Sequence, residues 1–433
     1  MISKDQTTTR PVYVVDGSRT PFLKARGKPG HFLASDLAVS AGRPLLARQP
    51  FTADALDEVI IGCIAPGPDE ANIARVVALR LGCGDHVPAW TVQRNCASGM
   101  QAVDSAALDI ATGRAELILA GGTESMSHHP VLLNQTMVAW LADWNRAKSF
   151  TAKGRQLAAL RPQHLQLVIA LLRGLTDPLV GLSMGQTAEI LAWRFNISRQ
   201  EMDRFAVRSH QRLADAQDKE RLDEIEPLYT TDGELFESDD GLRRESSVEK
   251  LAQLKPAFDR PVGRVTAGNS AQITDGAALL LLASEQAIEK YDLTVLGRVV
   301  DSQWSALDPS QMGLGPVHAM GALLKKQQLT TEQIDYWEIN EAFAAQVLAC
   351  QTAWQDADYM RDEVGLDAPL SAIPNERLNS DGGAISIGHP VGASGARLVL
   401  HLLKTLQQNK AKRGMASICI GGGQGGAMLL EVV

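Results

Sequence analysis

The sequence predicts an α/β fold in duplicate, interrupted by a mainly helical insertion. Three observations carry this reading. Strand-like and helix-like runs alternate over residues 12–125, a second alternation of the same kind closes the chain, and the stretch between them is dominated by helix-like patterns.

In order, "VYVVDGSRTPF" reads as a buried strand running into a loop, and "DLAVSAGRPLLAR" as a helix. "LDEVIIGCIAP" is an apolar strand stopped by Gly and Pro. "EANIARVVALRLG" has apolar residues at helical spacing and a terminal Gly. "AWTVQRN" is a short strand, "CASGMQAVDSAALDIATG" a helix of small residues, and "AELILAGG" a strand. Such alternation predicts a largely parallel sheet. Beyond residue 126, "VLLNQTMVAWLADWNRAKSFTAKGRQLAALRPQHLQLVIALLRGL" reads as helix, mixed apolar and basic. "GQTAEILAWRFN" and "SRQEMDRFAVRSHQRLADAQD" read as amphipathic helices, the second opened by a capping box of Ser198 and Glu201. The acidic "DGELFESDDG" reads as an exposed loop.

The closing segment returns to strand, loop and helix in "IDYWEINEAFAAQVLACQTAW". It continues with a helix in "GASGARLVLHLLKTLQQNKAKRG" and a strand, glycine turn and strand in "MASICIGGGQGGAMLLEVV". "ELILAGGTES" and "SICIGGGQGG" correspond as strand ends, and each follows a long helix that starts near a reactive residue, Cys96 or His389. The chain is therefore expected to divide into an N-terminal half (1–125 with 256–293), a helical insertion (126–255) and a C-terminal half (294–433), with reactive residues of both halves meeting at one seam.

Bulk properties exclude several classes. Of 433 residues, 45% are hydrophobic and 21% charged, as in ordinary globular proteins, and the net charge of -8 offers no general attraction for nucleic acid. Apolar runs such as "LVIALL" fall far short of the ~20 residues a membrane span needs. The N-terminus lacks a signal-peptide pattern, so a reducing, cytoplasmic setting is expected. Five cysteines at irregular spacing, with no CxxC pair, give neither a disulfide framework nor a zinc site.

Taken alone, each cysteine reads as small core filler. Cys96 differs in lying at a helix start, where backbone N–H groups favour a thiolate, among the small residues Ala97, Ser98 and Gly99. His389 sits in "GGAISIGHPVGASGAR", where glycines bring backbone close and Pro390 fixes the chain. The segment does not match a nucleotide P-loop, so the imidazole is a candidate base for a thiol. Cys419 precedes Gly421, Gly422 and Gly423, whose N–H groups are free to face an anion. Asn340 and Glu341, in "EINEAFAAQ", read either as a helix cap or as a holder of a water or substrate oxygen. A nucleophile, a base, a second thiol and glycine-rich turns together suit carbon–carbon bond chemistry beside a thioester carbonyl.

On these motifs the chain resembles the thiolase family: "NCASGMQA" with "AGGTESMS", "NEAFAAQ", "GGAISIGHPVGASGAR" and "CIGGGQGGAM" occur in order, and "TAGNSAQITDGAA", "MGQTAE" and "MGLGPV" also fit. The resemblance implies a five-layer αβαβα fold. It implies Cys96 as the acyl-carrying nucleophile, His389 as its activator and an oxyanion donor, and Asn340 as holder of a water in that oxyanion site. Cys419 becomes the acid/base at C2, and the N–H groups of Cys96 and Gly421 a second oxyanion hole. It further implies Arg243, Met184 and Met312 as contacts to coenzyme A and acyl chain, coenzyme A as a substrate, and no metal or redox cofactor. Ser183, Ala271 and Asp381 depart from common family residues, and the extra length near 131–180 resembles the long loop of thiolase subunits in fatty-acid-oxidation complexes.

The leading expectation is a 3-ketoacyl-CoA thiolase of β-oxidation. Alternatives are a biosynthetic acetoacetyl-CoA thiolase, a ketoacyl synthase (which has no need of Cys419), or a non-catalytic lipid-binding or scaffold protein. Expected partners are acyl-CoA and CoA, a second or further copies of the chain as homodimer or homotetramer, and a hydratase/dehydrogenase subunit. The basic stretch bearing Trp140 and Trp144 is expected either to pack on its own or a sister subunit or to touch a membrane surface.

Overall fold

The computed structural model describes residues 10–433. The first half contributes strands β1 (Val12–Arg19), β2 (Glu58–Gly62), β3 (Ala89–Val92), β4 (Leu117–Ser125) and β5 (Thr274–Ala283), with helices α1 (Ala34–Ala47), α2 (Ile73–Arg80) and α3 (Ser98–Ala111). The second contributes β6 (Gly297–Ala306), β7 (Tyr336–Ile339), β8 (Arg413–Ile420) and β9 (Gln424–Glu431), with α4 (Gly315–Gln327), α5 (Ala344–Gln355) and α6 (Ser394–Gln408).

Strand order is β7-β8-β9-β6-β1-β5-β4-β2-β3. Read outward from the β6–β1 contact, one side runs 1-5-4-2-3 and the other 6-9-8-7. The place matching β3 is taken by a single parallel bridge, Trp337 to Leu378. The two halves thus share one topology. The sheet is mixed, which corrects the expectation of a largely parallel one. β2 pairs in parallel with β3 and β4, and β7 with β8, but β4–β5, β5–β1, β8–β9 and β9–β6 are antiparallel. For β8 and β9 the cause is local: the short Gly421–Gly423 turn between them can join only antiparallel neighbours.

Strand alternation assigns each face to a different core. In β5, Leu279 and Leu281 pack with α1 and α2, while Leu280 and Leu282 pack with α3 and α6. In β8, Ile418 joins that same central core, whereas Met415 and Cys419 face α4 and α5. Five layers result, in the order helix, sheet, helix, sheet, helix, with α3 and α6 as the middle layer.

Those two middle helices cross at glycine. A Cβ on Gly99 would meet the Gly392 carbonyl at 2.8 Å and the Ala396 nitrogen at 3.0 Å, and one on Gly395 would meet the Met100 nitrogen at 2.6 Å. The contact is reciprocal, because Ala97-Ser98-Gly99 and Ala393-Ser394-Gly395 open α3 and α6 in the same way. Gly122 of β4 completes the approach, since its Cβ would lie 1.9 Å from the Gly392 carbonyl.

The intervening stretch departs from an all-helical reading. Helices Gln135–Arg146 and Phe150–Ala159 are bracketed by an antiparallel pair of short strands, Val131–Leu133 and Leu167–Ile169, whose β-branched and leucine residues fit a ladder as well as a helix. Neither helix buries a residue, so they do not pack a face onto the rest of their own chain. Helices Met184–Arg194 and Arg199–Asp218 do pack, and the second carries the expected capping box of Ser198 and Glu201.

The acidic loop is corrected as well. Asp239 is buried, because both its oxygens accept from the fully buried Arg19 guanidinium, at 2.7 and 2.9 Å. Arg19 also donates to Glu224, which pairs with His401 of α6 at 3.1 Å. Burial alone would lower the His401 pKa, but Glu224 and the neighbouring Asp381 drive it up to about 10. This ionic chain ties β1, the 224–239 segment and α6 together.

Replacing Gly395 with Val should force the α3–α6 crossing apart. Overpacking of this kind costs about 1–3 kcal/mol, read as a lowered midpoint of urea unfolding with an unchanged slope. An unchanged midpoint would contradict the described crossing.

Candidate active site

Cys96 lies in the loop from β3 to α3, two residues before the helix. Asn95 takes a left-handed conformation (φ 43°), and its side-chain amide donates to the Gly421 carbonyl at 2.8 Å, tying the nucleophile loop to the glycine turn of the other half. Ser98 accepts from the Arg94 N–H at 2.9 Å and donates to the Asn95 carbonyl at 2.7 Å, fixing the loop. His389 follows Gly388, whose φ of 118° excludes other residues without strain, and precedes α6. Cys419 is the penultimate residue of β8, and Asn340 comes directly after the adjacent β7.

These elements converge. Cys96, His389, Cys419 and Gly421 all line one cavity of about 540 Å³. Asn340 stands behind it, buried, with its Nδ2 3.4 Å from His389 Nε2 and its Oδ1 without a partner among the described residues. Among the five free thiols only Cys96 is partly exposed; Cys63, Cys83, Cys350 and Cys419 are buried.

The protonation states follow from local bonds. The Ser394 hydroxyl donates to the Pro390 carbonyl at 3.0 Å, so its oxygen accepts the Nδ1–H of His389 at 2.7 Å. That leaves Nε2 with its lone pair, an acceptor facing the Asn340 Nδ2–H at 3.4 Å. Burial, with Arg397 nearby, lowers the His389 pKa to about 3, so the imidazole is neutral. For Cys96, burial raises the thiol pKa, outweighing the Gly421 N–H and its own N–H, which lower it. This corrects the expectation of a helix-stabilised resting thiolate: desolvation wins over two backbone donors. Burial and the neighbouring Cys96 push the Cys419 thiol well up. The arrangement is two protonated thiols facing a neutral base, with backbone N–H groups at the nucleophile.

Arg243, Met184 and Met312 also line this cavity, as do Ser183 and Ala271. Ser183 caps its helix with Gln186. Asp381 lies outside the cavity, paired with Arg221 at 2.7 Å and facing His401 at 3.4 Å. Lys24 is a cavity residue that motif reading missed. Its pKa is lowered by burial and then by Arg243 and Arg26, a cluster of like charges suited to an anion. Its only sequence signal was the basic spacing in "KARGK". Ser394 was missed too, and its signal is the "ASG" triplet that follows both Cys96 and Val391-Gly392.

A second cavity of about 480 Å³ also reaches Cys96 and Gly421. Its outer wall is the 171–179 segment, including Leu171, Leu175 and Leu179, and its inner wall includes Ile64, Met126 and His129.

Fold and cavity define the class: a two-thiol α/β acyl-transfer enzyme. Residues 12–286 match the thiolase N-terminal domain and residues 293–432 the thiolase C-terminal domain. The mitochondrial trifunctional enzyme subunit beta of Bos taurus is 35% identical over 423 residues, covering 98% of this chain and 88% of that protein. The 3-ketoacyl-CoA thiolase of Yersinia pestis (strain Pestoides F) is 34% identical over 424 residues, covering 97% of each. Among solved structures, human mitochondrial 3-ketoacyl-CoA thiolase in complex with CoA superposes with a TM-score of 0.84 at 35% identity, covering 98% of each chain. The Bacillus anthracis acetyl-CoA acetyltransferase gives 0.83 at 34% identity, covering 99% of this chain and 100% of that one. The chain belongs to the thiolase family and is an acyltransferase.

Iodoacetamide applied to the folded protein should label one thiol per chain, mapped by peptide mass to Cys96. The rate should still climb as pH passes about 8.5, the ordinary range of a free thiol. A rate that levels off below pH 8 would show a depressed thiol and contradict the burial argument.

Proposed function

We propose that the protein is a 3-ketoacyl-CoA thiolase that cleaves 3-ketoacyl-CoA with CoA in fatty acid β-oxidation. The observation that carries this is one cavity shared by Cys96, His389, Cys419 and the Gly421 backbone. His389 Nε2 takes the Cys96 proton as the sulfur attacks the 3-keto carbon. The N–H groups of Cys96 and Gly421 receive the resulting oxyanion. Collapse breaks the C2–C3 bond, leaving the acyl group on Cys96. The departing acetyl-CoA enolate is held by His389, now protonated at Nε2, and by a water on Asn340, and Cys419 donates its proton to C2. Incoming CoA gives its proton to the Cys419 thiolate and attacks the acyl thioester; the acyl–Cys96 bond breaks, and the freed sulfur takes its proton back from His389 Nε2. The two steps give ping-pong kinetics.

Lys24 and Arg243 supply positive charge for the phosphates of coenzyme A, while Met184 and Met312 line the path to Cys96. No metal has a role in this scheme. In this reading residues 126–255 form a unit of their own that holds the coenzyme, between halves made of 1–125 with 256–293 and of 294–433. The five unpaired thiols fit a reducing compartment such as the cytoplasm.

Thiolysis of 3-ketoacyl-CoA, followed by mass spectrometry of the trapped acyl-enzyme, tests the roles. Cys96→Ser should abolish the acyl adduct. Cys419→Ala should keep acylation from a simple acyl-CoA but lose carbon–carbon cleavage by at least about a hundredfold. Full turnover by both variants would refute the assignment.

The chain is further proposed to work in a multi-subunit assembly, with other copies of itself and with a subunit carrying the neighbouring hydratase and dehydrogenase steps. In favour stands the exposed apolar face of the 131–180 segment, where Phe150 is 93% exposed and Leu165 and Leu167 about 60%. Trp140 and Trp144 stack there at 5.4 Å, with the Lys153 ammonium 5.6 Å from the centre of the Trp144 ring. Among the described residues no helix is long and apolar enough to cross a membrane. A protein partner over this face leaves the chain in the supernatant when it is centrifuged with phosphatidylglycerol vesicles; pelleting with them would assign the face to a lipid surface instead.

A further inference from the structure

His129 is the one imidazole in the second cavity, and the acyl-transfer scheme gives it no task. Its Nε2 is 3.1 Å from Oε1 of Glu124, and the two side chains are 7% and 0% exposed. Glu124 is fully committed: it accepts the Ile64 N–H at 2.9 Å, the Ala65 N–H at 3.0 Å and the Cys63 thiol at 3.7 Å. With that many donors turned toward it Glu124 serves as acceptor, so His129 donates from Nε2 and presents Nδ1 elsewhere. Nδ1 has no hydrogen-bond partner among the described residues, although the ring is held rigidly against a cavity that reaches the nucleophile.

The other ionisable groups of this cavity complete the picture. Asp177 is buried, and one carboxylate oxygen accepts from the N–H groups of Leu179 and Val180. Arg173 lines the same cavity, exposed and in no ion pair among the described residues. Beside the other Asp177 oxygen, which has no hydrogen-bond partner among the described residues, the donors left for a ligand are an imidazole backed by a carboxylate and a guanidinium, set among leucines. Apolar walls with two such donors match a chain that is aliphatic near Cys96 and anionic further out.

We propose that His129 and Arg173 are specificity residues for a carboxylate on the acyl chain, so that the preferred substrates are 3-ketoacyl-CoA thioesters ending in a carboxylate. This rests on the thiolase reading and deepens it. Once Cys96 is acylated, the chain extends into the second cavity while coenzyme A occupies the first. His129, anchored through its Nε2–H to Glu124, shares one proton between Nδ1 and the terminal carboxyl group, and Arg173 supplies a positive charge.

The test is thiolysis by the wild-type protein of two six-carbon 3-ketoacyl-CoA substrates, one unsubstituted and one with a terminal carboxylate, with acetoacetyl-CoA as a tail-free reference. A charged hydrogen bond of ordinary strength predicts a kcat/KM preference of about tenfold or more for the carboxylated substrate. His129→Leu should bring that ratio toward one or below it. Arg173→Met, on an exposed segment, should lower it severalfold and gives the same reading should the first variant not fold. Cleavage of acetoacetyl-CoA together with a preference for the unsubstituted chain, or a ratio unmoved by both variants, would overturn this inference alone. No cleavage of any of the three would overturn the thiolase reading itself.

Discussion

The site depends on the crossing of α3 and α6. Each helix opens with Ala-Ser-Gly, and each glycine admits the backbone of the other helix to a distance that a Cβ would forbid. The crossing lies at the N-terminal ends, so the loops that lead into both helices are brought to the same place. One loop carries Cys96 and the other His389. Duplication of the fold thus does chemical work: two equivalent positions, filled by different residues, become a nucleophile and its base. The serines of the triplets act in parallel. Ser98 locks the Cys96 loop and Ser394 locks the imidazole, each by donating to a carbonyl of its own loop and accepting from a nitrogen.

Burial then sets the electrostatics. Desolvation disfavours every charge in the cavity, which keeps His389 neutral and both Cys96 and Cys419 protonated. Charge is therefore created only during reaction, next to fixed N–H groups that need no rearrangement to receive it. The charges that the fold does bury permanently each face an opposite charge. Arg19, Asp239, Glu224 and His401 form one such set, and Arg397 with Glu338, at 2.9 Å, another.

Much of this was legible in the sequence. The strand and helix order followed from periodicity and glycine punctuation; Cys96, His389 and Cys419 stood out beside glycines, and Asn340 at the end of a strand. What was not legible has physical reasons. Strand direction depends on which edge a returning strand joins, and the long excursion before β5 hides that. Asp239 looked like one of several loop acids because its partner Arg19 is distant in sequence. The rise in the Cys96 pKa is set by how much chain covers it, which position in a helix does not reveal. His129 and Lys24 carry no motif, and they gain meaning only from the cavities they line.

The central claim is that Ser394, placed by the helix crossing, makes His389 a neutral base with its lone pair on Nε2. Nitrogen-15 NMR of the protein labelled at histidine, with His389 assigned by substitution, tests this directly. Nδ1 should be protonated and Nε2 unprotonated, with no change between about pH 5 and pH 8. A proton on Nε2, or a ring that titrates near the ordinary histidine value of about 6.5, would contradict it.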